Sequence, residues 1–399
     1  MFTEKELIKY AETMWWGLST ARTGEYKKGD VILVRYEADA TPLAEKVFDL
    51  LIDKGFNVIP RMSMSPSMDV SFYGKGNDQQ LEFIPAGEEE LYKSMNGLIS
   101  LIAPASLTHL AQVNPARIGK ATIARKFIRD IFNDNEQKGT FGWTLCMYPT
   151  KALAESANIT LDEYAEQIKQ ACFLHEETPS DHWDKIFKDA EEVKKWLNAM
   201  DVKEFHVGSE STDLYVTPGE QRQWLGISGH NIPSFEIFLS PDWRGTRGIY
   251  YADQPSFRSG NYVEGIRLEF KDGVAVSSTA KEGADFVAKQ LAMDEGAARL
   301  GEFSLTDKRF SRINAFMANT LFDENYGGEY GNCHVAVGAS YADTYAGDQS
   351  KFDQAKKDEL GFNDSALHWD LVNTEKKTVT AHMKDGSTQV IYEDGLFKL

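Results

Sequence analysis

Cysteine is scarce in this chain of 399 residues: only Cys146, Cys172 and Cys333 occur. They form no CxxC pair and no even-numbered framework, which excludes a disulfide scaffold and fits a reducing compartment. Basic residues are also in deficit, 43 Lys and Arg against 61 Asp and Glu, for a formal charge of −18. Nucleic acid is excluded as a partner, because its phosphates need clustered Lys and Arg. An acidic surface keeps a protein in solution and does not repel a cationic ligand such as a free amine. No apolar run approaches the ~18–20 residues of a membrane span. The opening MFTEKELIKYAE is acidic and amphipathic, unlike a secretory signal, so a cytoplasmic protein is expected. The first 200 residues hold no GxGxxG or Walker-type loop. The turn after VILVRY (31–36) is EADATP, with no glycine to let backbone approach a phosphate, so no dinucleotide site is expected there.

What is present supports two full-sized cores. Apolar residues make up 42% and aromatics 12%, too many for disorder. Thr3 with Glu6 is a capping-box pattern, and Leu7, Ala11, Met14 and Leu18 follow at helical spacing. VILVRY predicts a buried strand, Thr41-Pro42 the start of a helix that Gly55 ends, and FNVIP (56–60) a second strand. This βαβ order implies parallel pairing. LISLIA (98–103) and WTLCMYP (143–149) read as further strands, and 121–133 and 160–200 as helical, with caps at Thr160 and Ser180. Beyond about residue 200 the pattern changes to strands and turns. GIRLEFKDGVAVSS (265–278) and TVTAHMKDGSTQVIYEDG (378–395) carry hairpin signals, and a helix is expected over 283–300. The expected fold is therefore α/β and α+β: a Rossmann-like N-terminal α/β domain at 1–200, then a mixed, mainly antiparallel, barrel-like β domain at 201–399.

Chemistry concentrates in the second domain. His109, His175, His182, His206, His230 and His382 have no sequence company that completes a site, and read as ordinary structural histidines. His334 and His368 differ. His368-Trp369-Asp370 is an H-x-D step, which on a strand turns both side chains to one face. His334 opens the apolar CHVAVG (333–338), Glu324 lies in LFDEN, and Glu302 closes DEGAARLGE. Glu236 sits inside the apolar NIPSFEIFLSP, where a carboxylate is costly unless paired or metal-bound. Four carboxylates and two histidines suffice for two divalent ions, which can activate a shared water. The absence of cysteine ligands points to a catalytic rather than a closed structural site. The alternative on spacing alone is a set of surface ion pairs.

The segments STDLYV (211–216), NIPSFEIFLSPD (231–242), GIRLEFKDG (265–273), DEGAARLGEFSL (294–305), NTLFDEN (319–325), CHVAVGASY (333–341) and ALHWD (366–370) resemble, in order, those of the thermophilic-type metalloaminopeptidases, the aminopeptidase T, aminopeptidase S and PepS group. The resemblance covers about residues 200–370 firmly and the first half more loosely. It implies a homodimeric exopeptidase with two divalent ions, zinc or cobalt, acting on peptides with a free N-terminus. It places metal ligands at Glu236, Glu302, Glu324, His334, His368 and Asp370, a proton-transfer role on Glu302, and a catalytic tyrosine at Tyr341. Two departures stand out. Ser234-Phe235 precedes Glu236 where the family has a Thr-Glu-Glu-like step, and the loop YGGEYGN (326–332) is longer. Other classes fit part of this pattern: a two-metal amidase or deacylase, and a metal-binding dimer without activity.

Overall fold

The computed structural model describes residues 1–258 and 261–399. The chain divides into two units, residues 1–183 with 228–233, and residues 184–227 with 234–399.

The first unit is built on a five-stranded sheet in the order Asn57–Met62, Val31–Tyr36, Gly97–Ile102, Gly142–Met147, Asn231–Ile232. Every pairing in it is parallel, as the βαβ reading requires. Pro60 falls within Asn57–Met62, an edge strand, where its missing N–H breaks no central ladder. The last strand is supplied by residues 228–233, far along the chain. Helix Glu4–Ala21 begins with the expected box: Glu6 N–H donates to Thr3 Oγ1 (3.3 Å) and Thr3 N–H to the Glu6 carboxylate (2.6 Å). It buries Tyr10, Met14 and Leu18 completely. Gly17 allows its close approach to the sheet, since a Cβ there would lie 2.7 Å from Thr144 Oγ1. The Thr160–Glu163 box also forms.

Several boundaries differ from expectation. Thr41 lies inside helix Thr41–Asp53 rather than capping it, and its hydroxyl donates to Ala38 O (2.6 Å). Ser180 likewise lies inside Pro179–Asn198. The 121–133 helix is two, Pro115–Ala124 and Lys126–Gln137, broken at Arg125, whose guanidinium turns back to Leu81 O and Ala121 O. Three short helices, Pro66–Lys75, Asp78–Glu82 and Glu88–Ser94, carry too little apolar periodicity to be read.

The second unit holds antiparallel sheets of eight, four and two strands. The expected hairpins appear as Ile266–Lys271 with Val274–Thr279 and Thr378–Met383 with Thr388–Glu393. The larger sheet is open, running from Val274–Thr279 to Leu396–Phe397, so the barrel expectation is corrected: among the described residues its two end strands do not pair with each other. The 283–300 helix shortens to Ala284–Leu291. Downstream, Asp294 accepts bonds from Ser365 Oγ (2.8 Å) and Ala366 N (2.7 Å), which hold its segment as a loop, and Leu300 already begins a strand.

Candidate metal centre

The four-stranded sheet runs His368–Asn373, Asn332–Gly338, Leu300–Thr306, Glu236–Leu239. Its register explains the site. Directly opposed residues share a face, and residues two apart on a strand do too. Glu236 opposes Thr306; Ser304 opposes His334, which opposes Val372; Glu302 opposes Ala336, which opposes Asp370; and Gly338 opposes His368. Glu236, Glu302, His334, His368 and Asp370 therefore fall on one face. The other carries Phe303, Leu305, Val335, Val337 and Leu371, all buried. An irregularity between Leu300 and Glu302 sends Leu300 to the apolar side while Glu302 faces the cluster. Glycine is required at the bulged position, since a Cβ on Gly301 would lie 2.3 Å from Ala339 O.

The side chains converge closely. His334 Nε2 is 3.2 Å from Glu236 Oε2, 3.1 Å from Glu302 Oε1 and 4.0 Å from Asp370 Oδ1. His368 Nε2 is 3.3 Å from Asp370 Oδ1 and 3.6 Å from Glu302 Oε2. His368 Nδ1 lies 2.9 Å from Ala339 O, an arrangement that turns Nε2 toward the acids. Ser304 Oγ donates to Glu236 Oε2 (3.3 Å). Two donor groups result, Glu236–Glu302–His334 and Glu302–His368–Asp370, each with its ligand atoms within 4.8 Å of one another and with Glu302 common to both.

Glu324 arrives differently. It follows the short helix Thr320–Asp323, which Asn319 caps. Its carboxylate feels the charges of Glu236, Asp370 and Glu302 but lies outside the two tight groups. With Asp370, Phe257 and Thr320 it lines a cavity of about 20 Å³. A larger hollow, about 650 Å³, lies on the first unit beside Glu82, Gly119 and Ile123, and carries none of this chemistry.

Electrostatics show what the cluster lacks. Burial raises Glu302 to about 7, helped by the charge of Glu236 and opposed by His334. Burial and the charges of Glu236 and Asp370 hold Glu324 well above the usual carboxylate range. Burial disfavours the charged His334 ring, but Glu236 and Glu302 outweigh it and raise its pKa. Among the described residues no lysine or arginine forms an ion pair with these carboxylates. The cluster thus has four acids against two imidazoles; protons are pushed back onto Glu302 and Glu324, while burial acts against the charged Asp370 and the nearby His368 and His334 more than offset it and hold that carboxyl low. Divalent cations relieve that excess, so the residues present fit such ions.

Tyr341 lies at the rim. Its ring packs on His368 (centroids 4.7 Å) and Phe238 (5.8 Å), and its N–H donates to Ser240 Oγ (2.8 Å). The residue is 45% exposed, yet burial around the hydroxyl and the charges of Glu302, Asp370, Glu324 and Glu236 raise its pKa beyond the tyrosine range. It stays protonated and able to donate. The YGGEYGN loop folds back on its own unit: Gly327 and Gly328 N–H both donate to Ile313 O, and Asn332 Nδ2 to Tyr326 O.

Sequence reasoning missed Asn325, Ser240 and Ser304, which hold the site's acids and tyrosine by hydrogen bonds. Only Asn325, beside Glu324 in LFDEN, carried a positional hint. The other histidines each have a simpler setting, with one addition: His206 pairs with Asp213 (2.7 Å) and lies 6.4 Å, ring to ring, from His382 on neighbouring strands.

A sheet face of carboxylates and imidazoles without thiolates is a donor set of the kind that suits catalytic divalent ions. The chain matches the thermophilic metalloprotease family, M29, over residues 3–397, and it belongs to that family. A family of metalloproteases implies divalent metal ions. The chain is 25% identical over 427 residues to Aminopeptidase 2 of Geobacillus stearothermophilus, covering 98% of this chain and 97% of that one. It is 28% identical over 338 residues to Aminopeptidase AmpS of Bacillus subtilis, covering 79% of each. The structure of wild-type AmpT from Thermus thermophilus superposes with a TM-score of 0.80 at 22% identity, over 100% of both chains, which establishes the shared fold. No described helix is long and apolar enough to cross a membrane.

Proposed function

We propose that this chain is a cytoplasmic, homodimeric two-metal aminopeptidase that removes N-terminal amino acids from peptides. The observation that carries it is the single sheet face on which Glu236, Glu302, His334, His368 and Asp370 form two donor groups sharing Glu302. In this reading those five residues and Glu324 hold two divalent cations, zinc or cobalt. Bound there, the cations would acidify a water and polarise the scissile carbonyl. Glu302 takes the proton of the attacking water and passes it to the leaving amine as the C–N bond breaks. Tyr341 O–H donates to the oxygen that gains charge in the tetrahedral intermediate. The acid-rich face favours a substrate's ammonium group over a blocked N-terminus. Residues 201–399 are the metal-binding catalytic domain in this reading, and the Rossmann-like 1–200 domain is a scaffold or lid without chemistry of its own. The long 326–332 loop reshapes the substrate pocket or the dimer contact.

The test is a panel of aminoacyl fluorogenic amides, free and N-acylated, assayed with metal-loaded protein. Hydrolysis confined to the free-amine substrates is expected. Equal hydrolysis of acylated ones would make the protein an amidase, and metal binding with no turnover on either would make it a non-catalytic metal protein.

A further inference from the structure

Asn325 is fully buried and uses its whole hydrogen-bonding capacity. Its Oδ1 accepts from the N–H of Phe235 (2.5 Å) and of Glu236 (3.1 Å). Its Nδ2 donates to Leu321 O (3.0 Å) and to Glu324 Oε1 (3.4 Å). The two backbone N–H groups fix which end of the amide is oxygen. One side chain therefore ties the first residue of the Glu236–Leu239 strand to the turn that carries Glu324. The backbone around it is clamped as well: Asn332 Nδ2 donates to Glu324 O (3.0 Å), and Ser311 Oγ to Asn325 O.

We propose that Asn325 is a positioning residue of the metal centre, setting the Glu236 and Glu324 carboxylates relative to each other. The inference rests on the metal reading above. A primary amide suits the place because it alone among side chains of this size offers two donors and two acceptor lone pairs. Aspartate matches its shape but loses both donors and adds an acid beside Glu324. Glutamine keeps the amide but moves it by one methylene.

The experiment uses the full chain, stripped of metal and titrated with cobalt, with binding followed by visible absorption and folding by thermal melting. Asn325→Asp and Asn325→Gln should bind cobalt about 10- to 100-fold more weakly than wild type. The effect of Asn325→Asp should shrink on a Glu324→Gln background, because the nearest charge that the new carboxylate repels is then gone. Folded variants with unchanged cobalt affinity would overturn the proposal. Hydrogen exchange of the metal-free wild type covers the case in which neither variant folds. Phe235 and Glu236 amides should then exchange as slowly as those of the central Asn332–Gly338 strand, and exchange at loop rates would overturn the proposal. Failure of the wild type to bind any cobalt would instead remove the metal reading, while the exchange result still decides whether Asn325 holds the two segments.

Discussion

The four-stranded sheet of the second unit treats its histidines differently from the first unit. In the first, His109, His175, His182 and His230 each meet one carboxylate, of Asp69, Glu166, Glu176 and Glu136. These rings are partly exposed, and one acid satisfies them. In the four-stranded sheet of the second unit, His334 is wholly buried with Glu236 and Glu302 both within 3.2 Å. One acid beside a partly exposed imidazole is an ordinary polar contact of small energetic weight. Several buried acids around an imidazole form a charge imbalance that calls for cations from outside the chain. Counting acids per histidine therefore separates structure from function better than the presence of histidine does.

The predictions probe that contrast, beginning with the largest effect. Glu302→Gln or His334→Ala should reduce peptidase turnover to the uncatalysed background, since each removes a group from the shared cluster. Full turnover in either purified variant would end the assignment. Tyr341→Phe should lower kcat by about 10²–10³-fold, with KM and metal affinity nearly unchanged. An equal loss in metal affinity would show that the tyrosine only packs on His368.

Lys377 tests burial of charge outside the cluster. It is 2% exposed, and its amine has no hydrogen-bond partner among the described residues. Burial lowers its pKa to about 8, partly offset by Cys333, Asp253 and Glu375. The unfolded chain binds this proton up to its ordinary pKa of 10.5, so between about 8 and 10.5 stability rises with pH. The penalty is complete below 8. Lys377→Met should therefore be more stable at pH 7 by about 3 kcal/mol, with the advantage shrinking as pH rises through that window. Denaturant melts at pH 7 and pH 10 measure it. Smallest of all, His175→Ala in the first unit should leave activity unchanged and shift stability by less than about 0.5 kcal/mol. A large activity loss there would erase the distinction between the first unit and the four-stranded sheet.

Much of this contrast was legible in the residues themselves. The H-x-D step placed His368 and Asp370 on one face because strand periodicity is strictly two. An isolated acid in NIPSFEIFLSP marked Glu236 because burying it unpaired is costly. The parallel order of the first strands followed from the helix read between them. What could not be read depends on contacts between distant segments. Asn325 is an ordinary polar residue until Phe235 and Glu236 are brought against it. The bulge at Gly301 is visible only once Asn332–Gly338 lies beside it. Residues 231–232 join a sheet whose other strands end by Met147, and no local pattern announces that. The open edges of the eight-stranded sheet are likewise a property of the whole, since hairpin signals are the same in closed and open sheets.

The central claim is that the sheet face is a working metal centre. Metal-stripped full-length protein should be titrated with zinc or cobalt while hydrolysis of a free-amine peptide is followed in the same samples. Activity absent in the stripped protein and restored as two equivalents bind per chain is the predicted result. Full activity in the presence of a strong chelator, or tight binding that restores none, would contradict it.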